Sequence, residues 1–264
     1  MHTNFLPIQL NGLRVVVTAG GSGIGKSIAQ AFSEAGAEVL ICDISESLVA
    51  QTHSYNPKLT SLVTDVSNPI DVKHLFDVVK KKWDGLDVLV NNAGIAGPTA
   101  LVENIESQDL EDTLKVNVSS QFYCAKHAVP LIKKSGGGSI INLSSVAGRH
   151  GFAFRSPYSA AKWGVIGFSK SLAIELGESN IRVNAILPGH VNSERFRRVV
   201  KAKSEAIGLD FETTKKQYLD LVSLKRNVEE HDIANMALFL ASTFGANITG
   251  QAISVCGDVQ MMPS

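Results

Sequence analysis

Short runs of consecutive apolar, largely β-branched residues alternate along this chain with longer amphipathic stretches. The runs fall at 13–18, 38–42, 60–63, 86–90, 139–143, 182–187 and 252–255. A strand with one wet face alternates apolar and polar positions, whereas unbroken apolar runs belong to strands covered on both faces. Runs of this kind separated by helical patterns predict a parallel sheet with a crossover helix on each face, built from right-handed βαβ units. The fold class expected is therefore α/β, one doubly wound parallel sheet of about seven strands flanked by helices. No linker, repeat or shift of composition divides 1–264, so a single domain is expected. One stretch departs from the rhythm: 195–224 is charged and helical. It reads as a substrate lid over 193–224 or as a solvated surface helical pair.

The first run, VVVT, passes directly into Ala19-Gly20-Gly21-Ser22-Gly23-Ile24-Gly25 and then into a helical pattern over 26–35. Residues without a Cβ let the backbone approach a pyrophosphate, and a helix N-terminus offers amide donors and partial positive charge. The setting between strand and helix makes this a stronger signal than glycine richness alone. The second run ends in Ile41-Cys42-Asp43. That carboxylate, about twenty residues beyond the glycines, is placed to accept hydrogen bonds from the adenosine ribose hydroxyls. It favours NAD over NADP, because Asp43 repels a 2′-phosphate and neither Ile44 nor Ser45 offers a positive charge. The other role open to Asp43 is N-cap of a helix over 45–50.

Composition narrows the partners. The 25 basic residues balance the 25 acidic ones, so no global field draws the protein to nucleic acid or to an anionic membrane, and a small molecule is the partner expected. MHTNFLPIQL shows no basic segment followed by an apolar one, and no apolar run approaches the roughly 18 residues of a membrane helix. A cytoplasmic protein is expected. Cys42, Cys124 and Cys256 are far apart and read as buried thiols, and the seven histidines show no paired spacing, so no metal is expected.

Three further residues carry chemistry. Tyr158 and Lys162 lie four apart and share one face of a helix. A phenol near its ordinary pKa is a poor base at neutral pH, and a neighbouring ammonium stabilises the phenolate. Ser145 lies just past the fifth run, at the carboxyl edge where open α/β sheets bind ligands, and is placed to orient a substrate oxygen.

These segments together resemble the short-chain dehydrogenase/reductase family. TAGGSGIG at 18–25 is similar to its TGxxxGxG loop; NNAG stands at 91–94, Asn117 within KVNV, Ser145 at the end of NLSS, and Tyr158 and Lys162 form YxxxK. Pro188-Gly189 follow the sixth run, and the match covers about 10–257. The resemblance implies a Rossmann-type dinucleotide-binding catalytic domain and an NAD-dependent alcohol dehydrogenase or reductase. It implies Asn117, Ser145, Tyr158 and Lys162 as the catalytic set, with Asn117 supporting a water relay and Lys162 also holding the nicotinamide ribose. The cofactor contacts it implies are Gly20, Ser22, Gly23 and Ile24 at the phosphates, Asp43 at the ribose, and Asp65 and Val66 near the adenine. Asn92, Ala93 and Gly94, with Tyr158 and Lys162, follow on the ribose side. Pro188, Gly189, Val191 and Ser193 lie toward the nicotinamide carboxamide. It also implies a homodimer or homotetramer through a helix at 158–176. Two positions depart from the pattern. Ala19 replaces the first loop glycine, so the backbone there is expected to avoid a conformation only glycine tolerates. Ser193 replaces a threonine and keeps its hydroxyl.

The segments facing such a site are cationic and aromatic: Arg149, His150, Phe152, Phe154 and Arg155 precede Tyr158, and His190, Asn192, Arg195 and Arg198 follow the sixth run. Guanidinium groups hold carboxylates through paired hydrogen bonds. Ser145, Arg149, His150, Tyr158, Asn192 and Arg195 are accordingly the candidate substrate contacts. The expected substrate is a small alcohol or ketone, anionic if the arginines face it, such as a sugar acid or polyol. For Arg155 and Arg198 the alternative is solvated ion pairs or subunit contacts. Two other functions are consistent with the fold: a 3-oxoacyl-thioester reductase, disfavoured by Asp43, and a nucleotide-sensing protein without catalysis, disfavoured by the intact set of four.

Overall fold

The structure, a computed structural model, describes residues 8–262. Most of the opening stretch read for a leader, and the last two residues of SVCGDVQMMPS, lie outside the described residues. The strands are β1 Arg14–Thr18, β2 Glu38–Asp43, β3 Thr60–Val63, β4 Val88–Asn91, β5 Gly138–Leu143, β6 Ile181–Pro188 and β7 Ala252–Val255. All pair in parallel, in the order β3-β2-β1-β4-β5-β6-β7. The helices are α1 Gly23–Glu34, α2 Glu46–Tyr55, α3 Pro69–Trp83, α4 Ser107–Leu114, α5 Ser120–Lys134, α6 Ser156–Leu176, α7 Glu194–Ile207, α8 Phe211–Asp220 and α9 Glu230–Ala241. This is the Rossmann-type α/β fold expected of the sequence, with strand ends within two residues of the apolar runs.

Successive strand side chains point to opposite faces, which gives the sheet two cores. Val15 and Val17 of β1 pack with Ile28 and Phe32 of α1 and Leu238 of α9. Val16 between them packs on the other face with Leu75 of α3, Ala128 of α5 and Leu176 of α6. Cys42 and Cys124 are buried in this second layer, and burial pushes the Cys42 thiol up to about 12. Cys256 differs from expectation: it is only partly buried, because the chain has left the sheet one residue after β7.

The two ends of the sheet are built differently. At the amino ends, Arg14 places Nε and Nη2 on the two Asp87 carboxylate oxygens at 2.8 Å each, its backbone amide also donates to Asp87, and Nη2 reaches Ser135 at 2.9 Å. That cluster ties β1 to the approach to β4 and the end of α5. At the carboxyl ends the strand order reverses between β1 and β4, which opens a crevice where ligands bind in such sheets. Among the described residues no helix is long and apolar enough to cross a membrane.

Candidate active site

The crevice begins at the glycine loop. Ala19 does not avoid the left-handed region; its φ is 50°. The chain must leave β1 and cross the end of β2 at once, because the Gly20 amide donates to the Cys42 carbonyl at 3.0 Å. A left-handed alanine costs roughly 1–2 kcal/mol, which the loop's other contacts offset. Gly25 follows as the close-packing position: a Cβ there would stand 2.1 Å from the Ala19 carbonyl oxygen and 2.5 Å from Asn92 Nδ2. Asn92 bridges the two loops by donating to the Thr18 and Ala19 carbonyls at 3.0 and 3.1 Å. No side chain caps the N-terminus of α1, so its first amides face the crevice.

Asp43, the last residue of β2, is buried and accepts from the amides of Gly21 and Ser45, each at 3.1 Å. The N-cap of α2 is Ser45, so the capping alternative for Asp43 falls away. Asp65 and Val66 follow β3 at the same edge, where Asp65 accepts from the Ser67 amide. Ala93 and Asn92 both donate their amides to the Thr18 hydroxyl at 3.0 Å. The glycine cradle, the open helix end and the Asp43 carboxylate fit the phosphates and ribose of a dinucleotide.

The four residues singled out for chemistry converge. Asn117 sits in a π-type turn, Lys115–Ser119, inserted between α4 and α5. Its Nδ2 donates to the Ile95 and Thr113 carbonyls at 3.1 and 2.9 Å, and its Oδ1 is buried without a partner. The absence of a Cβ at Gly94 makes the room: one there would stand 2.6 Å from Asn117 Oδ1 and 3.4 Å from Lys162 Nζ. Lys162 is buried on α6 and donates to the Leu143 carbonyl at 2.9 Å. Burial lowers its ammonium to about 8, against the opposing pull of Tyr158. Its Nζ lies 5.7 Å from the centre of the Tyr158 ring. For Tyr158 burial raises the phenol, but Arg195, Lys162, the hydrogen bond with Ser145 and Arg155 outweigh it and bring it below its ordinary value.

Ser145, Tyr158 and Lys162 open into one cavity of about 810 Å³, counted to its solvent mouth. Asn92, Pro188, Gly189, Val191, Ser193 and Arg195 also line it. Ser193 caps α7 by accepting from the Phe196 amide at 3.2 Å. Three proposed substrate contacts do not line the cavity. Arg149 is exposed and donates to Ser254 Oγ and the Ala252 carbonyl, and neither it nor His150 lines the cavity. Following the short turn Val146–Gly148, Arg149 is directed to β7. Asn192 is exposed, bonds Glu229 at 3.3 Å and borders a neighbouring cleft.

In their place stands Arg155, whose sequence context also allowed a surface ion pair: it is 3% exposed and lines the cavity, and no ion pair to it is found among the described residues. Arg198 is exposed on α7 and borders an adjoining cleft. The remaining wall is an aromatic cluster of Phe152, His190, Phe196 and Tyr218, ring centres 5.0 to 6.3 Å apart. Burial lowers His190 to about 4 and raises Tyr218 to about 12, so both are neutral. Tyr218 and Phe196 sit on α8 and α7 outside any motif, and only their place in the charged helical stretch pointed to them.

A family model described as enoyl-(acyl carrier protein) reductase matches residues 18–258. The chain is 34% identical over 254 residues to the 3-oxoacyl-[acyl-carrier-protein] reductase of Thermotoga maritima, covering 95% of this chain and 98% of that one. To the probable galactose dehydrogenase of Rhizobium meliloti it is 36% identical over 257 residues, covering 93% and 94%. Among solved structures, NAD+-bound xylitol dehydrogenase superposes with a TM-score of 0.90 at 27% identity, over 94% of this chain and 98% of that one.

Proposed function

Because the chain belongs to the short-chain dehydrogenase/reductase family and is an oxidoreductase of alcohols and ketones, we propose that it interconverts a secondary alcohol and a ketone with NAD, acting on a small sugar acid or polyol. The observation that carries this is the convergence of Ser145, Tyr158 and Lys162 on one cavity at the carboxyl edge of the sheet. The nicotinamide, when bound, accepts or returns a hydride. Every other task falls to the chain. Tyr158, held toward phenolate by the surrounding cations, takes the proton of the substrate hydroxyl in oxidation and returns it in reduction. Ser145 orients the substrate oxygen. Lys162 stabilises the phenolate and binds the nicotinamide ribose, and the orphan oxygen of Asn117 anchors a proton path behind it. Asp43 would receive the adenosine ribose hydroxyls, which is the basis for NAD rather than NADP.

We read α7 and α8 as a lid on a single catalytic domain, since they contribute Phe196, Val199 and Tyr218 to the cavity wall. Apolar exposure clusters on α4, α5 and α6, at Leu110, Phe122, Trp163 and Ile174, which supports a homodimer or homotetramer of a cytoplasmic enzyme. A 3-oxoacyl-thioester reductase is the second reading, favoured by the reductase relative. The test is formation of NADH with sugar acids, neutral polyols and hydroxyacyl thioesters, with Tyr158→Phe alongside. Tyr158-dependent turnover of acids or polyols is expected; turnover of thioesters alone would establish the second reading.

A further inference from the structure

Among the described residues, two guanidinium groups in the cavity have no negative partner. Arg155 donates Nη2 to the Ala96 carbonyl at 2.6 Å and Nη1 to Thr99 Oγ1 at 3.5 Å, and its buried Nε has no acceptor. Arg195, reaching in from α7, donates Nη1 to the Gly94 carbonyl at 3.1 Å, and its buried Nη2 has none. The backbone oxygens of Gly94 and Ala96 thus fix both groups, while Arg155 Nε and Arg195 Nη2 are left without an acceptor. Their Cζ atoms stand 5.2 and 5.8 Å from the centre of the Tyr158 ring. Among the described residues, no Asp or Glu lines this cavity or the adjoining cleft that both arginines border.

Charge removed from water without a counter-charge costs several kcal/mol, and buried guanidinium groups are ordinarily paired. Here a third cation, Lys162, shares the space, and Arg155 follows Phe154, a non-glycine residue at φ 64°. Backbone strain of this kind is retained where surrounding structure enforces it, and it clusters at ligand sites. The Phe154 ring in turn supports Lys203 Nζ, 4.0 Å from its centre and itself without a hydrogen-bond partner.

We propose that Arg155 and Arg195 clamp an oxyanion of the substrate, so that the enzyme acts on a short hydroxy acid and its keto acid rather than on a neutral polyol. The proposal rests on the alcohol–ketone reading above and selects between its two substrate classes. The two open N–H directions suit the paired oxygens of a carboxylate or sulfonate. Because both guanidinium groups stand over the Tyr158 ring, the anion lies within a few bonds of the reacting carbon. The neutral orphans His190 Nε2 and Tyr218 Oη remain for further hydroxyls of the same molecule.

The test pairs three-carbon to six-carbon hydroxy acids with their amides and with matching sulfonates in NADH-forming assays. It uses the unmodified enzyme, Arg195→Met and Arg155→Met, each checked by thermal melting. Acids or sulfonates should exceed amides by 100-fold or more in kcat/KM, and Arg195→Met, compared with the parent on the plateau of each pH profile, should lower acid turnover more than amide turnover and so erase that preference. A second readout needs no turnover: malonate added to the NADH complex should raise its melting temperature, and each variant should abolish the rise. Equal losses on acid and amide, amides turned over as well as acids, or a malonate shift that survives both substitutions would overturn the clamp. Turnover indifferent to Tyr158→Phe would instead overturn the parent reading and leave the malonate result to decide the clamp on its own.

Discussion

Gly25→Ala sets two effects of opposite sign against each other. Gly25 lies inside α1 with no left-handed φ, so helix propensity alone favours alanine by about 1 kcal/mol. The structure opposes it: the added methyl would stand 2.1 Å from the Ala19 carbonyl oxygen, and ordinary contact needs about 1.2 Å more. An opening of that size would stretch both Asn92 bridges, now 3.0 and 3.1 Å, beyond hydrogen-bonding distance. Losing two such bonds costs about 1–3 kcal/mol, and overpacking about 1–3 more. Sterics therefore win by about 3 kcal/mol, which for a domain of this size lowers the melting temperature by roughly 6–12 °C. The same displacement moves the loop amides away from the phosphates, so NADH affinity by fluorescence titration should fall at least tenfold. Gly177→Ala, where nothing lies within 4 Å of the new methyl, is the control and should melt no lower than the parent. A Gly25→Ala protein that melts like the parent and binds NADH equally would refute the close packing described for this loop.

The cations around Tyr158 favour its deprotonated form, the base in oxidation, so kcat/KM for the alcohol should rise with pH and level off below about pH 10, while ketone reduction falls across the same limb. Arg195→Met should move both limbs to higher pH; limbs that stay in place would remove Arg195 from the field at Tyr158. Asp43→Ser should weaken NADH about tenfold and tighten NADPH, as read by fluorescence titration, and an unchanged ratio would take Asp43 out of cofactor selection. His190 is held neutral in the fold, its pKa near 4 against 6.5 for an unhindered imidazole. Between those values the unfolded chain takes up a proton that the folded one refuses. The His190 contribution is then complete above about pH 6.5 and is lost on acidification at up to about 1.4 kcal/mol per pH unit. Melting curves across that range should be flatter for His190→Phe; identical slopes would show that His190 titrates freely.

The features legible in the sequence are those whose geometry is local. A strand, a glycine loop and a helix in succession place the phosphate cradle, and the four-residue spacing of Tyr158 and Lys162 puts both on one face of α6 wherever that helix goes. Unbroken apolar runs announced a sheet covered on both faces, and seven strands follow. Side-chain direction in the loops was not legible. Arg149 and Arg155 lie six apart in one cationic segment, yet the turn at 146–148 sends the first to the β7 edge, while the left-handed Phe154 and the start of α6 turn the second inward. Ala19 escaped for a similar reason, since its conformation is imposed by the end of β2, which no neighbouring residue announces. Tyr218 enters the cavity only because α8 folds back over it.

The Arg14–Asp87–Ser135 cluster at the amino ends of the strands divides the molecule into two kinds of ground. There the Arg14 guanidinium is matched to acceptors, whereas the opposite end holds Asn117, Arg155, Arg195, His190 and Tyr218 with polar atoms unmatched. Inherited variation should sort accordingly. Changes around Arg14 reduce how much protein a cell retains, because a loss of one or two kcal/mol feeds chaperones and proteases. Changes at the unmatched end leave abundance intact, or raise it, while erasing turnover.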